Sequence, residues 1–262
     1  MQYDASHFKE TIMKTRGNTI LITGGATGIG LALAEVFLRE RNDVVICGRR
    51  EHKLFDAKRK LPAVHTATCD VADAEERKSL FNWAMTNFGA LNVLVNNAGI
   101  QKDIDFRKGT ADQIIGKDEI ETNLLAPIHL CGLFIPQLMK QEEAAIVNIT
   151  SGLGFIPLAV VPVYCATKAA LHSFTRSLRH QLKDTSIQVF EVAPPLVDTE
   201  LNEEAREIRL REDRGITPGE VAEAAIRGMV KDEFDIAIGK ADFLRTGARS
   251  DPEQTFQMIN AD

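Results

Sequence analysis

Short continuous runs of apolar and β-branched residues recur along the chain. Seven such runs occupy residues 18–23, 43–48, 64–70, 91–97, 144–150, 186–192 and 234–239. Continuous runs of this length, rather than alternating ones, are typical of strands that are buried on both faces of a parallel sheet. The pattern therefore predicts a sheet of seven parallel strands.

Between these runs, apolar residues recur at steps of three and four, which is the period of an amphipathic helix. The predicted helices lie near residues 28–40, 51–60, 73–88, 118–140, 163–183 and 218–231. Alternating strands and helices predict an α/β Rossmann fold, a doubly wound parallel sheet with helices on both faces. We expect a flexible extension at residues 1–16, a single domain over 17–262, and a charged lid at about 196–215.

One predicted helix carries two residues that a core helix does not ordinarily bury. Leu171, Phe174 and Leu178 form an apolar stripe, and the same stripe continued toward the amino terminus meets Lys168 and then Tyr164. Burial of an unpaired ammonium group is costly. The pattern therefore indicates that the first turns of this helix contribute to a site.

Composition narrows the class of partner. The chain has 262 residues, 44% of them hydrophobic, and a formal net charge of -6, so the basic patch of a nucleic-acid or anionic-membrane binder is not expected. No apolar run is long enough for membrane insertion. The four cysteines lack metal or disulfide spacing, which favours free thiols in a cytoplasmic location. The six histidines also lack metal-binding spacing, and no metal site is expected.

A glycine-rich turn follows the first predicted strand. The sequence TGGATGIG covers residues 23–30 and runs directly into a predicted helix. Glycines let the backbone approach a ligand, and the N–H groups at a helix start attract phosphate. The turn predicts a dinucleotide site with contacts from Gly24, Thr27, Gly28, Ile29 and Gly30, although a merely tight turn is the alternative.

The end of the second strand indicates which dinucleotide binds. A fold that binds NAD usually presents an acidic residue here, whereas Arg49 and Arg50 follow Gly48 in this chain. Guanidinium groups can bind a 2′-phosphate, which a carboxylate would repel. The sequence therefore favours NADP(H), with NAD(H) as the alternative cofactor. The alternative role for the two arginines is that they are only solvated surface residues. Asp70 and Val71 are predicted to meet the adenine, although Asp70 could instead cap the next helix.

Several short motifs occur in a familiar order. They are TGGATGIG at 23–30, NNAG at 96–99, Asn123, Ser151 and Tyr164-x-x-x-Lys168. In these motifs and their separations, the chain resembles the short-chain dehydrogenase/reductase family over about residues 18–240. The segments PVYCATKAALHSF and APPLVDT are also similar to the DltE-type oxidoreductases within that family. The name implies a context in lipoteichoic acid D-alanylation and no particular reaction.

The resemblance implies four catalytic residues. Tyr164 would donate a proton to the alkoxide oxygen that forms when a carbonyl accepts hydride. Lys168, one helical turn away, is expected to lower the pKa of the Tyr164 phenol and to hold the nicotinamide ribose. Ser151 would hydrogen-bond the substrate oxygen, with a turn cap as its alternative role. Asn123, beside a kink that Pro127 favours, would hold a water linking Lys168 to solvent.

The resemblance also implies contacts to the cofactor and substrate. Further cofactor contacts are expected from Asn97, Ala98, Gly99, Tyr164, Lys168, Pro194, Val197 and Thr199, with Asn96 and Ile149 in support. Pro195 departs from the Pro-Gly pair that the family has after the sixth strand, so the backbone path beside the nicotinamide is left open. A mainly apolar substrate pocket is expected from Gln101, Leu153, Phe155, Ile156 and Leu196.

These features predict an oxidoreductase that transfers hydride between NADP(H) and a small carbonyl or alcohol substrate. One alternative is a 3-oxoacyl carrier-protein reductase, for which Arg176, Arg179 and Lys183 offer a weak basic docking surface. Another is a dinucleotide-binding protein of low turnover in a cell-wall context, which would more naturally have lost a catalytic residue. By resemblance, the helices at 118–140 and 163–183 are expected to form a homodimer or homotetramer.

Overall fold

A computed structural model describes residues 14–109, 116–201 and 215–261. Its centre is a sheet of seven strands. These are β1 (Thr19–Thr23), β2 (Asp43–Gly48), β3 (His65–Thr68), β4 (Val93–Asn96), β5 (Ala144–Ile149), β6 (Ile187–Ala193) and β7 (Asp235–Ala237). Every strand pair is parallel, and the order across the sheet is β3-β2-β1-β4-β5-β6-β7. The predicted strands and their doubly wound parallel arrangement are confirmed.

Helices cover both faces of the sheet. They are α1 (Gly28–Arg39), α2 (Glu51–Lys60), α3 (Ala74–Asn87), α4 (Lys117–Ile120), α5 (Ala126–Leu138), α6 (Pro162–Gln181), α7 (Pro218–Val230), α8 (Lys240–Ser250) and α9 (Pro252–Ile259). In the described part of the chain, no helix is both long and apolar enough to cross a membrane.

The core divides into two layers because successive strand residues point to opposite faces. On one face, Ile20 and Ile22 pack in a cluster with Phe37 of α1 and Val221 of α7. On the other face, Leu21 packs in a cluster that includes residues of α3, α5 and α6. Strands buried on both sides account for the continuous apolar runs of the sequence.

The predicted helix at 118–140 is interrupted. A π-helical turn at Glu121–Leu125 separates α4 from α5. Pro127 has no N–H to donate to the carbonyl of Asn123, so the regular hydrogen-bond ladder cannot pass this point. The interruption was expected from Pro127. In α4, Ile120 is exposed and Glu119 is buried, which is the reverse of what an apolar and a charged residue ordinarily do.

The predicted flexible extension and the predicted charged lid fall largely outside the described residues. Residues 1–13 and 202–214 are not part of the described ranges. The backbone N–H of Lys14 donates to Glu143 at 2.7 Å, and Asn42 donates to the carbonyl of Thr15 at 2.7 Å. The described end of the predicted extension is therefore tied to the domain.

Candidate active site

The site is a cleft of about 820 Å³ at the carboxyl ends of the central strands. The loops after β1, β2, β3, β4, β5 and β6 line it, and α6 contributes Tyr164 and Lys168. Parallel strands gather their carboxyl ends at one edge, where open α/β folds bind ligands. The topology therefore brings together motifs that lie far apart in the sequence.

The glycine-rich turn forms one end of the cleft. Gly24 has a φ of 62°, and a Cβ there would lie 2.8 Å from the Cα of Ala98, so this backbone path requires glycine. The Asn97 amide donates to the carbonyls of Thr23 and Gly24 at 2.9 and 3.1 Å. Helix α1 then begins without a side-chain cap or an acidic residue in its first turn. Its first N–H groups can therefore serve a phosphate at the cleft.

Two arginines lie where β2 ends. Arg50 donates to Glu200 at 3.0 Å and to the hydroxyl of Thr27 at 3.4 Å, so it bridges the two sides of the cleft mouth. Arg49 has a side chain that is 59% exposed and lies 4.0 Å from a carboxylate oxygen of Asp70. The guanidinium group of Arg49 therefore makes fewer and longer contacts with other protein groups than that of Arg50.

Asp70 lines the cleft as predicted and does not cap the next helix. Its carboxylate accepts the N–H of Ala72 at 3.0 Å, whereas Asp73 caps α3 by accepting the N–H groups of Glu75 and Glu76. The alternative role considered for Asp70 is therefore wrong.

Asn123 is buried and holds the loop that follows β4. Its Oδ1 accepts the N–H of Ile100 at 2.9 Å, and its Nδ2 donates to the carbonyl of Ile100 at 2.8 Å. Nδ2 also donates to Thr167 of α6 at 3.2 Å. The Asn123 side chain does not itself line the cleft. Its amide joins the loop after β4 to the helix that carries Tyr164.

Tyr164, Lys168 and Ser151 meet at the other end of the cleft. Tyr164 is 6% exposed and Lys168 is 4% exposed. The Lys168 ammonium lies 5.6 Å from the centre of the Tyr164 ring and donates to the carbonyl of Ile149 at 2.8 Å. Ser151 accepts the N–H of Leu153 at 3.1 Å and also hydrogen-bonds Tyr164. Ser151 is thus a turn cap, the alternative role considered for it, and is at the same time a neighbour of Tyr164.

The prediction that Lys168 lowers the pKa of Tyr164 is wrong for this structure. Burial raises the Tyr164 pKa well above its usual value, and the hydrogen bond from Ser151 only partly opposes this rise. Burial also lowers the pKa of Lys168 to about 8. In both groups burial disfavours the charged form, and this effect is the largest one on each pKa.

Most of the predicted site residues line the cleft. They are Gly24, Thr27, Gly28, Ile29, Arg49, Arg50, Asp70, Val71, Asn97, Ala98, Gly99, Gln101, Ser151, Leu153, Tyr164, Lys168, Pro194, Leu196, Val197 and Thr199. Ile149 and Pro195 are also in the lining. Asn96 lies below the cleft, where its amide donates to Asn148 at 2.8 Å.

Three predicted contact residues lie outside the lining. Gly30 packs beneath the turn, where a Cβ would lie 2.5 Å from both the Asn97 amide and the Gly24 carbonyl. Phe155 turns away from the cleft, and its ring meets the His172 ring edge-on at 5.1 Å. Ile156 is buried in the protein. The short 3-10 turn at Gly152–Gly154 reverses the chain, so Leu153 faces the cleft and the two residues after the turn do not.

The two helices at the carboxyl end of the chain supply a wall of the cleft that the sequence analysis missed. The residues concerned are Lys240, Phe243, Leu244, Met258 and Ile259. Helices α8 and α9 are short and bury few apolar residues, but both are clearly amphipathic, so their hydrophobic periodicity is one signal that could have revealed them. The pair Asp251-Pro252 is a helix-start signal that could have revealed α9, because Asp251 caps it and proline suits its first position.

One residue of the basic surface considered for docking a carrier protein makes its hydrogen bonds within the fold. Arg179 donates to the carbonyls of Val189 and Phe234 and to Asp235, each at 2.8 Å. Its guanidinium group therefore joins α6 to the sheet. This arrangement weakens the case for a docking surface built on Arg179.

The geometry agrees with the comparisons to known proteins. A model of the short chain dehydrogenase family matches residues 18–209, and the chain belongs to this family of oxidoreductases. It is similar to the uncharacterized oxidoreductase DltE of Bacillus subtilis (strain 168), with 53% identity over 248 residues that cover 95% of this chain and 98% of the relative. The resemblance to the family and to DltE-type oxidoreductases is thus confirmed.

Solved structures show the same fold. A short-chain dehydrogenase from Burkholderia phymatum in complex with NAD superposes with a TM-score of 0.82 at 22% identity, over 95% of this chain and 98% of the other. A short chain dehydrogenase from Burkholderia cenocepacia J2315 in complex with NADP gives a TM-score of 0.82 at 22% identity, over 95% and 100% of the two chains. These likenesses confirm the Rossmann fold and its single domain.

Proposed function

We propose that the protein transfers hydride between NADP(H) and a small carbonyl or alcohol substrate, with Tyr164 as general acid and base. The observation that carries this proposal is the meeting of Ser151, Tyr164 and Lys168 at one end of a cleft whose other end is an uncapped helix start. One end offers a proton donor, and the other offers N–H groups for a phosphate.

The residues of the cleft fit a nicotinamide dinucleotide. The glycine turn and the start of α1 would bind the pyrophosphate, and Gly48 leaves open space at the end of β2, where a Cβ would meet nothing within 4 Å. Family membership supports the same cofactor class, since one related structure holds NAD and another NADP. When bound, the dinucleotide supplies the hydride or accepts it.

The chain's own side chains would handle the proton. Tyr164 would donate its phenolic proton to the substrate oxygen as negative charge develops there, and Ser151 would hydrogen-bond the same oxygen. Lys168 would hold the ribose hydroxyls and return a proton to Tyr164 after the transfer. The carbonyl of Asn123, which Pro127 cannot bond, would hold a water that returns protons to Lys168.

Arg49 carries the proposed preference for NADP(H). Its exposed guanidinium at the end of β2 can approach a 2′-phosphate, whereas Arg50 is engaged with Glu200. Asp70, 4.0 Å from Arg49, is the group that could oppose this preference.

The proposal extends to location and assembly. Cys47, Cys69, Cys131 and Cys165 are all free and buried, which supports a reducing, cytoplasmic compartment. A homodimer or homotetramer through α5 and α6 remains a prediction. The substrate would be a small molecule, without nucleic acid or membrane insertion as a partner.

A substrate screen tests the function and the cofactor preference together. Oxidation of NADPH and NADH would be followed separately by absorbance with a panel of short- and medium-chain aldehydes and methyl ketones. We expect turnover with NADPH, and Arg49→Ser should raise the KM for NADPH about tenfold or more because a charge-assisted phosphate contact is lost. The KM for NADH should not change.

Arg59→Ser is the matched control, because Arg59 lies on α2 with an exposed side chain and does not line the cleft. A wild-type protein that turns over NADH better than NADPH would contradict the proposed cofactor preference. A protein that turns over neither cofactor with any compound would contradict the proposed function itself.

A further inference from the structure

Helix α4 buries a carboxyl group that the proposed chemistry does not use. Glu119 is 0% exposed. Its Oε1 accepts the backbone N–H of Lys102 at 3.1 Å, whereas its buried Oε2 has no hydrogen-bond partner among the described residues. Burial of a carboxyl group with one oxygen unpaired is costly, and nearly all buried polar atoms have partners. The position of Glu119 therefore calls for a physical reason.

Glu119 and Asn123 both hydrogen-bond the backbone of the loop after β4. Glu119 holds the N–H of Lys102, and Asn123 holds both the N–H and the carbonyl of Ile100. The two side chains come from one continuous helical segment and bind the loop after β4 on either side of Gln101. Gln101 itself lines the cleft. The loop backbone is thus fixed immediately before and immediately after Gln101.

The segment that carries Glu119 is itself held against α6. Gly116, just before α4, has a φ of 74°, and a Cβ there would lie 2.5 Å from Cγ1 of Val163, the neighbour of Tyr164. Lys102 also forms an ion pair with Asp118 through its ammonium group. The fixed points of the loop therefore lie close to the helix that presents Tyr164.

The pKa shifts of Glu119 and Tyr164 agree with a position of Glu119 close to Tyr164. Burial raises the pKa of Glu119, the N–H of Lys102 lowers it, and the charge of Asp118 raises it further. In turn, the charge of Glu119 contributes to the raised pKa of Tyr164, as does that of Cys165. Glu119 is therefore near enough to the phenol for its own charge to act there.

We propose that Glu119 is a positioning residue that, together with Asn123, clamps the loop around Gln101 and so fixes one wall of the substrate pocket beside Tyr164. This proposal rests on the proposed function and deepens it by naming a residue that determines how substrates fit. Glu119 contacts neither substrate nor cofactor in this role, because it acts through the backbone at Lys102.

Two substitutions separate the clamp from a general effect on folding. Glu119→Leu removes the acceptor for the Lys102 N–H, whereas Glu119→Gln keeps an acceptor oxygen at the same position. Hydrogen–deuterium exchange of the peptide spanning residues 99–104 should be faster in Glu119→Leu and close to wild type in Glu119→Gln. Exchange in β5 should be unchanged in both variants, which shows that the sheet is folded.

Kinetics with the most responsive aldehyde of the panel provide the second measurement. We expect Glu119→Leu to raise the KM for the aldehyde about tenfold, the effect of leaving a buried N–H unsatisfied, with kcat within about twofold of wild type. NADPH affinity, measured by fluorescence titration, should not change. Glu119→Gln should restore the wild-type KM, and Glu142→Gln, an exposed carboxylate far from the cleft, is the control for lost charge.

The outcomes are distinct. Wild-type exchange at residues 99–104 and a wild-type KM in Glu119→Leu would overturn the clamp, and so would equal damage in the Leu and Gln variants. If the wild-type protein turned over no compound with either dinucleotide, the proposed function would fail. The exchange experiment would still decide whether Glu119 holds the loop.

Discussion

Tyr164→Phe is expected to lower reductase turnover by at least about 100-fold while leaving NADPH binding intact. The substitution removes one oxygen atom, and with it both the proton that Tyr164 would donate to the substrate and the acceptor for the hydrogen bond from Ser151. The ring is 6% exposed and stays in place, so the packing around it should be kept. Turnover would be measured by NADPH absorbance, and binding by fluorescence titration.

The chain offers a matched control for this experiment. Tyr3 is the other of its two tyrosines and lies outside the described residues, and Tyr3→Phe makes the same chemical change at a residue for which no catalytic role is proposed. We expect Tyr3→Phe to keep wild-type turnover. Undiminished turnover in Tyr164→Phe would show that another group protonates the substrate, and the assignment of Tyr164 as general acid would then fail.

Lys168→Met is expected to lower turnover by about 100-fold or more, because the group that would hold the ribose hydroxyls and return protons to Tyr164 is lost. Leucine or methionine at this position can still continue the apolar stripe of α6, so the protein should fold. The same substitution should also change how stability depends on pH, which gives a second measurement that needs no substrate.

The sign of that change follows from the lowered pKa of Lys168. In the folded protein without cofactor the pKa is about 8, against 10.5 for an ordinary lysine, so between these pH values the unfolded chain binds more protons than the folded protein. The Lys168 contribution to stability is therefore unfavourable below pH 8 and is relieved as the pH rises toward 10.5. The variant lacks this contribution.

Denaturant unfolding of the wild type and Lys168→Met at a series of pH values measures the effect. The free energy of unfolding of the variant minus that of the wild type should fall between pH 8 and 10.5. Other groups that titrate in this range, such as the buried thiols, contribute equally to both proteins and cancel. A difference that stays constant with pH would contradict the claim that burial lowers the pKa of Lys168 in the folded protein.

Local sequence patterns predicted the positions of the strands and helices. The strand β2 begins and ends at the predicted residues 43 and 48, since its apolar run is continuous and flanked by polar residues. Helix α2 likewise matches the predicted 51–60. Pro127 indicated the interruption between α4 and α5, because loss of one N–H has a direct consequence for the helical ladder. Such features depend on neighbours in the sequence.

Features that depend on distant contacts could not be predicted. The direction of Phe155 is set by the turn at Gly152–Gly154 and by His172, and no local pattern encodes that pairing. The raised pKa of Tyr164 reflects burial, which depends on the packing of distant segments around the ring. Glu119 was overlooked because a charged residue in a helix is ordinarily exposed, and only the tertiary structure shows it buried.

The central claim is direct hydride transfer within the cleft, and deuterium labelling tests it most directly. The wild-type protein would be supplied with NADPH labelled with deuterium at the transferable position and with the most responsive aldehyde of the panel. Mass spectrometry of the alcohol should find the deuterium on the former carbonyl carbon, and Tyr164→Phe should form at least about 100-fold less labelled alcohol in the same time. Oxidation of the labelled NADPH without deuterium on that carbon would contradict hydride transfer and the account built on it.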